Sequence, residues 1–450
     1  MLWSHSDSLI DMNLRLNTET LNKTPSWKIA TIFIFLALLN TLAFGFTHTP
    51  SWQDASEYSS YATHIVSGQG YTLDGKTVSI HREPGYPLFV ALFYEIFGSK
   101  NVTAVFFMQA FLLGLIGLMS YLIFFKLNYP RIGFLAGTII SIFPMYGYYA
   151  GELLTEMLFT FLLMTIFYSI FLLLKTTGSY EKYLLSIIIG LLCGYATLVR
   201  VQFLFFLPFV ALVFLLLRRY RFVFKEMLLS LVIFLMVLSS WISYVYVQTG
   251  EIALTHGREG AILYSRVART ELSYTDQIRY MTAWLRRSIP GSDWEHDPIL
   301  SKYGWTGTSL AYKKIATSVE AIAQIKKENI HTIVENPGHY IFGNAIELVK
   351  LLYLEHVPSS ILGPVLRASL YTVLYVWFLF GLLHLIRPTP KQELKMMQLS
   401  LLSFIAYNAL TLSFLDTIPR YNIPYLVFFM LVGFIGLAIA QKEHKITCLP

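Results

Sequence analysis

"YLLSIIIGLLCGYATLVRVQFLFFLPFVALVFLLL", residues 183–217, is an apolar run of 35 residues interrupted by a single charge, Arg200. As one α-helix rising 1.5 Å per residue it would reach about 50 Å, against about 30 Å of hydrocarbon in a bilayer. Basic segments flank both of its ends, at 175–182 and 218–225. Lys and Arg collect on the cytoplasmic side of a membrane. The run therefore crosses, turns near Arg200 and returns.

Composition extends that reading to the whole chain. Of 450 residues, 55% are hydrophobic and 14% charged, whereas soluble domains carry about 25% charged residues. Spans are expected near 29–46, 102–125, 132–148, 153–174, 183–199, 202–217, 227–247, 366–386, 398–415 and 423–440. The fold class is an all-α polytopic membrane protein of about ten spans. The first run has no small-residue cleavage site and is read as a retained span. An even number of spans puts both termini and every short basic loop (126–131, 175–182, 218–225, 387–395) on the cytoplasmic face. The net charge of +7 is then a topology signal and not a nucleic-acid footprint. Cys193 and Cys448 form neither a disulfide framework nor a thiolate metal cage.

The resulting organisation is a cytoplasmic tail over 1–28, a transmembrane module over 29–248 with a first outer loop at 48–101, and an outer segment over 249–365. A C-terminal transmembrane module at 366–441 and a tail at 442–450 complete it. Within the outer segment, "HYIFGNAIELVKLLYLEH" (339–356) is apolar enough for a span. Glu347 and Lys350 within it are unfavourable at mid-membrane, so an amphipathic helix in the outer interface is expected.

Charge is concentrated in the outer turns. In "THTPSWQDASEYSSYATHIVSGQG" (47–70), Ser51 to Asp54 fits a capping box, and Tyr58, Tyr61, Ala62 and Ile65 follow at helical spacing. Asp54 is at least a helix-starting residue; it is also a carboxylate at the membrane surface. In "HREPGYPLFVALFYEIFG" (81–98), His81 and Arg82 precede a rigid Pro-Gly turn. An Arg fork there suits a phosphate, or snorkels toward lipid headgroups. Glu152 and Glu156 share a helix face four residues apart, with Arg200 as a candidate partner. "DTIPRYNIPY" (416–425) adds Asp416, Arg420 and Tyr421. Topology assigns Asp54, Arg82, Glu156, Arg200 and Arg420 to one side. No metal-ligand pattern, Gly-rich phosphate loop or nucleophile elbow occurs, which disfavours a nucleotide-using enzyme.

An acid after the first span, then "GQGY" (68–71), "REPGYPLF" (82–89), "ELLTEMLFTFLL" (152–163), "GYATLVRVQFLFFLPF" (194–209) and "RYNIPY" (420–425) stand in one order. In this the chain resembles family 39-type glycosyltransferases of the GT-C superfamily, bacterial relatives of protein mannosyltransferases and aminoarabinose transferases. The resemblance covers about 27–220 and returns at 416–440. It implies transfer of a sugar from a polyprenyl-phosphate donor to a periplasmic or lipid acceptor in a bacterial inner membrane. Membrane lipids are the other expected partners, and nucleic acid is not one. Asp54 is then the general base of an inverting reaction, with Glu156 as a second acid. Arg82, Arg200 and Arg420 are the donor-phosphate ligands, and His81, Tyr86, Glu152 and Tyr421 belong to the pocket. The resemblance leaves a divalent metal open. Glu83 stands where relatives commonly have Pro; it pairs with Arg82 or contacts a polar acceptor. A flippase, polymerase or transporter of lipid-linked saccharides is the alternative.

Overall fold

A computed structural model of the chain describes residues 26–45, 53–216, 224–250, 252–255, 258–286, 297–315, 319–352, 364–386, 392–414 and 419–447. Among them the regular structure is helical, apart from one isolated antiparallel bridge between Thr72 and Val78. The expected cap at Ser51, Asp416 and Cys448 lie outside the described residues.

The chain opens with α1 (Ser26–Phe44), followed by two short helices, α2 (Gln53–Val66) and α3 (Gly85–Phe97). Next come α4 (Val102–Lys126), α5 (Pro130–Ile142), α6 (Pro144–Ala150), α7 (Glu156–Lys175), α8 (Ser179–Val199), α9 (Phe206–Leu216) and α10 (Phe224–Thr249). The outer segment holds α11 (Arg258–Thr270), α12 (Tyr274–Leu285), α13 (Pro298–Tyr303), α14 (Trp305–Ile315), α15 (Val319–Glu335) and α16 (Pro337–Glu347). Then α17 (Pro364–Ile386), α18 (Gln392–Phe414), a 3₁₀ turn at Pro419–Tyr425 and α19 (Leu426–Thr447) complete the bundle.

Among the described residues, α1, α4, α7, α8, α10 and the stretch Arg420–Gln441 are long and apolar enough to cross a membrane. The pair α5 and α6 makes a seventh if it is one span, and it bends by 51°. The other three expected spans form helices with shorter apolar stretches, Val201–Val213, Ser369–His384 and Met397–Leu412. The bend has a clear cause. Pro144 has no N–H and ends α5, and the Asn40 amide of α1 donates to the carbonyls of Ser141 (3.0 Å) and Phe143 (2.9 Å) at the break. Backbone groups freed within a bilayer need such a partner. Glycine permits the approach, because a Cβ at Gly151 would collide with the backbone of Gly45.

The centre of the bundle is α7 with Arg420–Gln441, whose most apolar windows are 72% and 89% buried. The corresponding windows of α1 and α10 are 28% and 22% buried, so these two stand at the periphery. Because α7 begins and α8 ends at the same end of the bundle, Glu156 and Arg200 are brought together there. The Pro419–Tyr425 turn packs on α7 at that end, and α3 packs on α8. The run expected to turn near Arg200 does break there: Arg200 has extended backbone between α8 and a 3₁₀ turn at Val201–Phe203.

The amphipathic helix expected over 339–356 is covered by α16 and a 3₁₀ turn at Leu348–Leu352, and the remainder lies outside the described residues. Its sidedness is the reverse of a soluble helix. Asn344, Glu347 and Lys350 are buried, whereas Ile341 and Val349 face outward. Glu347 pairs with Arg266, with Arg269 (2.8 Å) and with Lys350 (3.2 Å). Lys350 also lies over the rings of Tyr280 and Trp284. Arg266 donates to the Leu412 carbonyl (2.9 Å), which ties the outer segment to α18. Burial opposes ionisation of Glu347, but the three cations outweigh it and hold its carboxyl far below the usual range.

Removing one member of a buried ion pair leaves the others uncompensated and costs about 3–5 kcal/mol. Glu347→Gln should therefore lower stability by about that amount at pH 7, read from denaturant unfolding in detergent. A depressed folded-state value stabilises above the ordinary value of about 4.5 and loses that contribution as pH falls. The gap between wild type and variant should accordingly narrow below about pH 4.5 and stay constant from pH 5 to 7.

Candidate active site

Helix α2 presents Asp54, Glu57 and Tyr58 one turn apart on a single face. Its apolar side, with Ala55, Tyr58, Tyr61 and Ala62, is buried, so the direction of the two carboxylates is set by packing. Arg82 reaches them from the 67–84 turn. Gly68, Gly70 and Gly75 take the left-handed backbone that this turn requires. Asp74 accepts from the amides of Lys76 (2.9 Å) and Thr77 (2.8 Å). Those bonds, that from Thr77 first, bring its exposed carboxyl down to about 2.

Tyr71 joins this turn to the site. Its ring stacks on Tyr61, with centroids 4.3 Å apart, and meets Trp241 of α10 edge-on. Its hydroxyl donates to the carbonyls of Arg82 (2.9 Å) and Glu83 (3.1 Å). Burial pushes the phenol well above its ordinary value, so it remains a donor. Next along the chain, Gly85 lies against the backbone of Leu198, and Tyr195 donates to its carbonyl (2.9 Å). A Cβ at Gly85 would come 2.7 Å from that backbone, which explains the glycine. The "REPG" segment is thereby fastened to the end of α8, beside Arg200.

The charged side chains form an alternating chain. Glu57 accepts from Arg82 Nε (2.5 Å), and Arg82 Nη2 donates to Asp54 Oδ1 (2.5 Å). The other Asp54 oxygen accepts from Arg420 Nη2. Arg420 Nε stands 3.8 Å from Glu156 Oε1, and that same oxygen accepts from Arg200 Nη2 (2.5 Å). Arg200 Nε closes the sequence on the Thr155 hydroxyl (2.7 Å). Three carboxylates thus alternate with three guanidiniums. Aromatic faces complete the setting: Arg82 lies over Tyr58, Arg200 over Phe159, and both Arg200 and Arg420 over Tyr421. Arg82 Nη1, Arg200 Nη1 and Glu156 Oε2 are buried and make no hydrogen bond among the described residues.

A cavity of about 80 Å³ opens along this chain, several times the room one water needs. Asp54, Arg82, Glu156, Arg200, Arg420 and Tyr421 line it together. Three other expected pocket residues stand elsewhere. Tyr86 is fully buried, edge-on to Tyr58, and donates to Gln109 (3.0 Å). Gln109 in turn holds the carbonyls of Ala150 and Glu152. Glu152 is buried behind the wall and His81 is half-buried beside Arg82; neither is among the lining residues. Glu83 lines the cavity, but its carboxylate accepts from the Val201 amide (3.2 Å), while Arg82 is taken by Glu57 and Asp54.

Sequence reasoning passed over Glu57 as an Arg82 partner, although its position three residues after Asp54 carried the signal. Thr255 and Ile262 from the outer segment and Leu412 of α18 also line the cavity; no local pattern marks them. Among the described residues no group of three His, Cys, Asp or Glu is arranged to hold a metal ion.

Residues 81–244 match the model of a family described as dolichyl-phosphate-mannose-protein mannosyltransferase. The matched stretch includes Arg82, Glu156 and Arg200, and lies between Asp54 and Arg420. Two crystal structures of ArnT from Cupriavidus metallidurans are similar to the whole chain. The one bound to undecaprenyl phosphate has 13% identity, covering 93% of this chain and 80% of that one with a TM-score of 0.41. The apo form has 14% identity, covering 92% and 78% with a TM-score of 0.42. No curated protein matches the chain by sequence.

Tyr71→Phe removes the hydroxyl held by two carbonyls, a loss of about 1–3 kcal/mol of local stability. Limited proteolysis should then cut within 67–84 faster than in wild type. Equal rates would mean that the Tyr61 stack and the Asp74 turn suffice to hold Arg82.

Proposed function

We propose that this chain is a membrane glycosyltransferase of the GT-C superfamily that moves a sugar from a polyprenyl-phosphate carrier to an acceptor hydroxyl, a reading supported by the family match over residues 81–244. The observation that carries the reading is the ion chain itself. Asp54 and Arg420, 366 positions apart, meet in one cavity with Arg82, Glu156 and Arg200. A set of guanidiniums beside a carboxylate meets the two demands of glycosyl transfer from a lipid phosphate. The leaving group becomes more anionic as it departs, and preorganised cations stabilise that change most. The attacking hydroxyl must give up a proton, and a positioned carboxylate takes it.

In this mechanism Asp54 accepts the proton of the acceptor O–H as the oxygen bonds to the anomeric carbon. The bond from that carbon to the phosphate oxygen breaks on the opposite side, its electron pair leaves with polyprenyl phosphate, and the configuration inverts. Arg82 and Arg420 hold the phosphate, with Arg200 behind them. Glu156, bound to Arg200 and close to Arg420, keeps these two cations aligned and gives the acceptor a second polar anchor. Tyr421 supplies an aromatic floor.

The orientation belongs to the same proposal. Lys and Arg predominate in the short loops expected on the cytoplasmic side, so the cavity faces the periplasm of a bacterial inner membrane. Lipid-borne sugar is the activated donor on that face, where nucleotide sugars are not supplied. The membrane modules at 29–248 and 366–441 then carry the ion chain, and the outer segment at 249–365 roofs it through Thr255 and Ile262.

Membranes containing the protein, given a panel of radiolabelled polyprenyl-phosphate sugars, should consume one of them. Asp54→Asn should lower that transfer by about 10²–10⁴-fold at unchanged expression. A transporter of lipid-linked saccharides would keep moving substrate in the same variant. Consumption of no donor by wild type, or near-normal transfer by Asp54→Asn, would rule the proposal out.

A further inference from the structure

The charges along Glu57–Arg82–Asp54–Arg420–Glu156–Arg200 cancel. A donor phosphodiester brings one further negative charge into a site of low polarity, where an uncompensated charge is strongly unfavourable. Either it remains uncompensated or it displaces a carboxylate already present.

Asp54 is the group that a phosphate can replace. Its two oxygens each accept from a different guanidinium, Arg82 on one side and Arg420 on the other. A phosphodiester also has two equivalent oxygens at similar separation and can take both donors. The other two carboxylates are less suited. Glu156 is almost fully buried against Arg200, while Glu57 grips Arg82 at Nε, away from Arg420. Arg82 is therefore held twice by α2, through Glu57 and through Asp54, and by the Tyr58 ring. Of the two carboxylates that hold Arg82, Asp54 lines the cavity and Glu57 does not.

Resting on the functional reading above, we propose that Asp54 occupies the place of the donor phosphate in the free protein and is displaced when donor binds. Glu57 is the positioning residue that keeps Arg82 aligned once Asp54 has let go. The consequence is an order of events. A carboxylate clamped by two guanidiniums is a poor base, and one released from them is a better base. The base is therefore unmasked by donor, and acceptor is activated only after donor has entered. Charge and protons balance: donor (−1) and ionised Asp54 (−1) become polyprenyl phosphate (−2) and protonated Asp54 (0), while the acceptor's proton moves to Asp54.

The test uses the full chain in detergent, with a polyprenyl monophosphate as the binding probe and thermal melting to verify folding of each variant. Asp54→Asn, although inactive, should bind the probe about tenfold more tightly than wild type, because a competitor has been removed. Glu57→Gln should bind it somewhat more weakly and lose about tenfold in kcat, a larger effect than the change in donor KM, since Arg82 then follows Asp54 and stabilises the departing phosphate less. Glu57→Asp, which keeps the charge, should recover part of that loss. Equal or weaker probe binding by Asp54→Asn overturns the exchange, as does a Glu57→Gln kcat within about twofold of wild type. If wild type and every variant fail to bind the probe, and no polyprenyl-phosphate sugar is consumed, the functional reading falls and takes the exchange with it.

Discussion

The Asp54 carboxylate, shared between Arg82 and Arg420, joins a helix that follows the first span to the turn that precedes the last. Each arginine has a second carboxylate beside it, Glu57 for Arg82 and Glu156 for Arg420. Both arginines are nearly buried, and a buried guanidinium without an anion is strongly disfavoured. The geometry around the site follows from meeting that requirement. Helix α2 turns its carboxylates inward, the 67–84 turn carries Arg82 to them, and Gly85 allows the turn to rest on the end of α8. The proposed chemistry draws on the same arrangement, because groups that neutralise one another in the free protein are those a phosphate and a hydroxyl would engage.

The outer segment repeats this physics at a second place. Glu347 gathers Arg266, Arg269 and Lys350, and Arg266 reaches across to the backbone of α18 at Leu412. Leu412 and Ile262, the latter one turn before Arg266, both line the cavity of the candidate site. A buried ion cluster thus fastens the roof of the site to the membrane bundle. The resulting hold is directional, which apolar contact alone is not.

Most of the apolar helices and the break at Arg200 were legible in the sequence, because bilayer thickness and the placement of Lys and Arg act on local stretches of chain. The residues of the site were partly legible for the same reason. Asp54, Arg82, Glu156, Arg200 and Arg420 each stand in a turn or at a helix end beside an apolar segment, where a charge calls for explanation. Their pairing was not legible: Arg200 binds Glu156 and not Glu152, and Glu83 turns to the Val201 amide and away from Arg82. The Pro144 break, which divides an expected continuous span, was visible as a proline but not as a 51° bend supported by Asn40.

Tyr86, Glu152 and Glu347 mark the boundary most clearly. The family resemblance assigned Tyr86 and Glu152 to the pocket, and packing set both behind its wall. Glu347 and Lys350 were recognisable as unsuited to mid-membrane, while the partners that make their burial tolerable come from another helix some 80 positions earlier. By itself the sequence determined which segments are apolar enough to enter a membrane and which charges interrupt or flank them, since transfer free energy depends on composition and length. Tertiary structure alone decided which opposite charges meet, since Coulomb attraction in a poorly screened site depends on ångström distances that no spacing along the chain specifies.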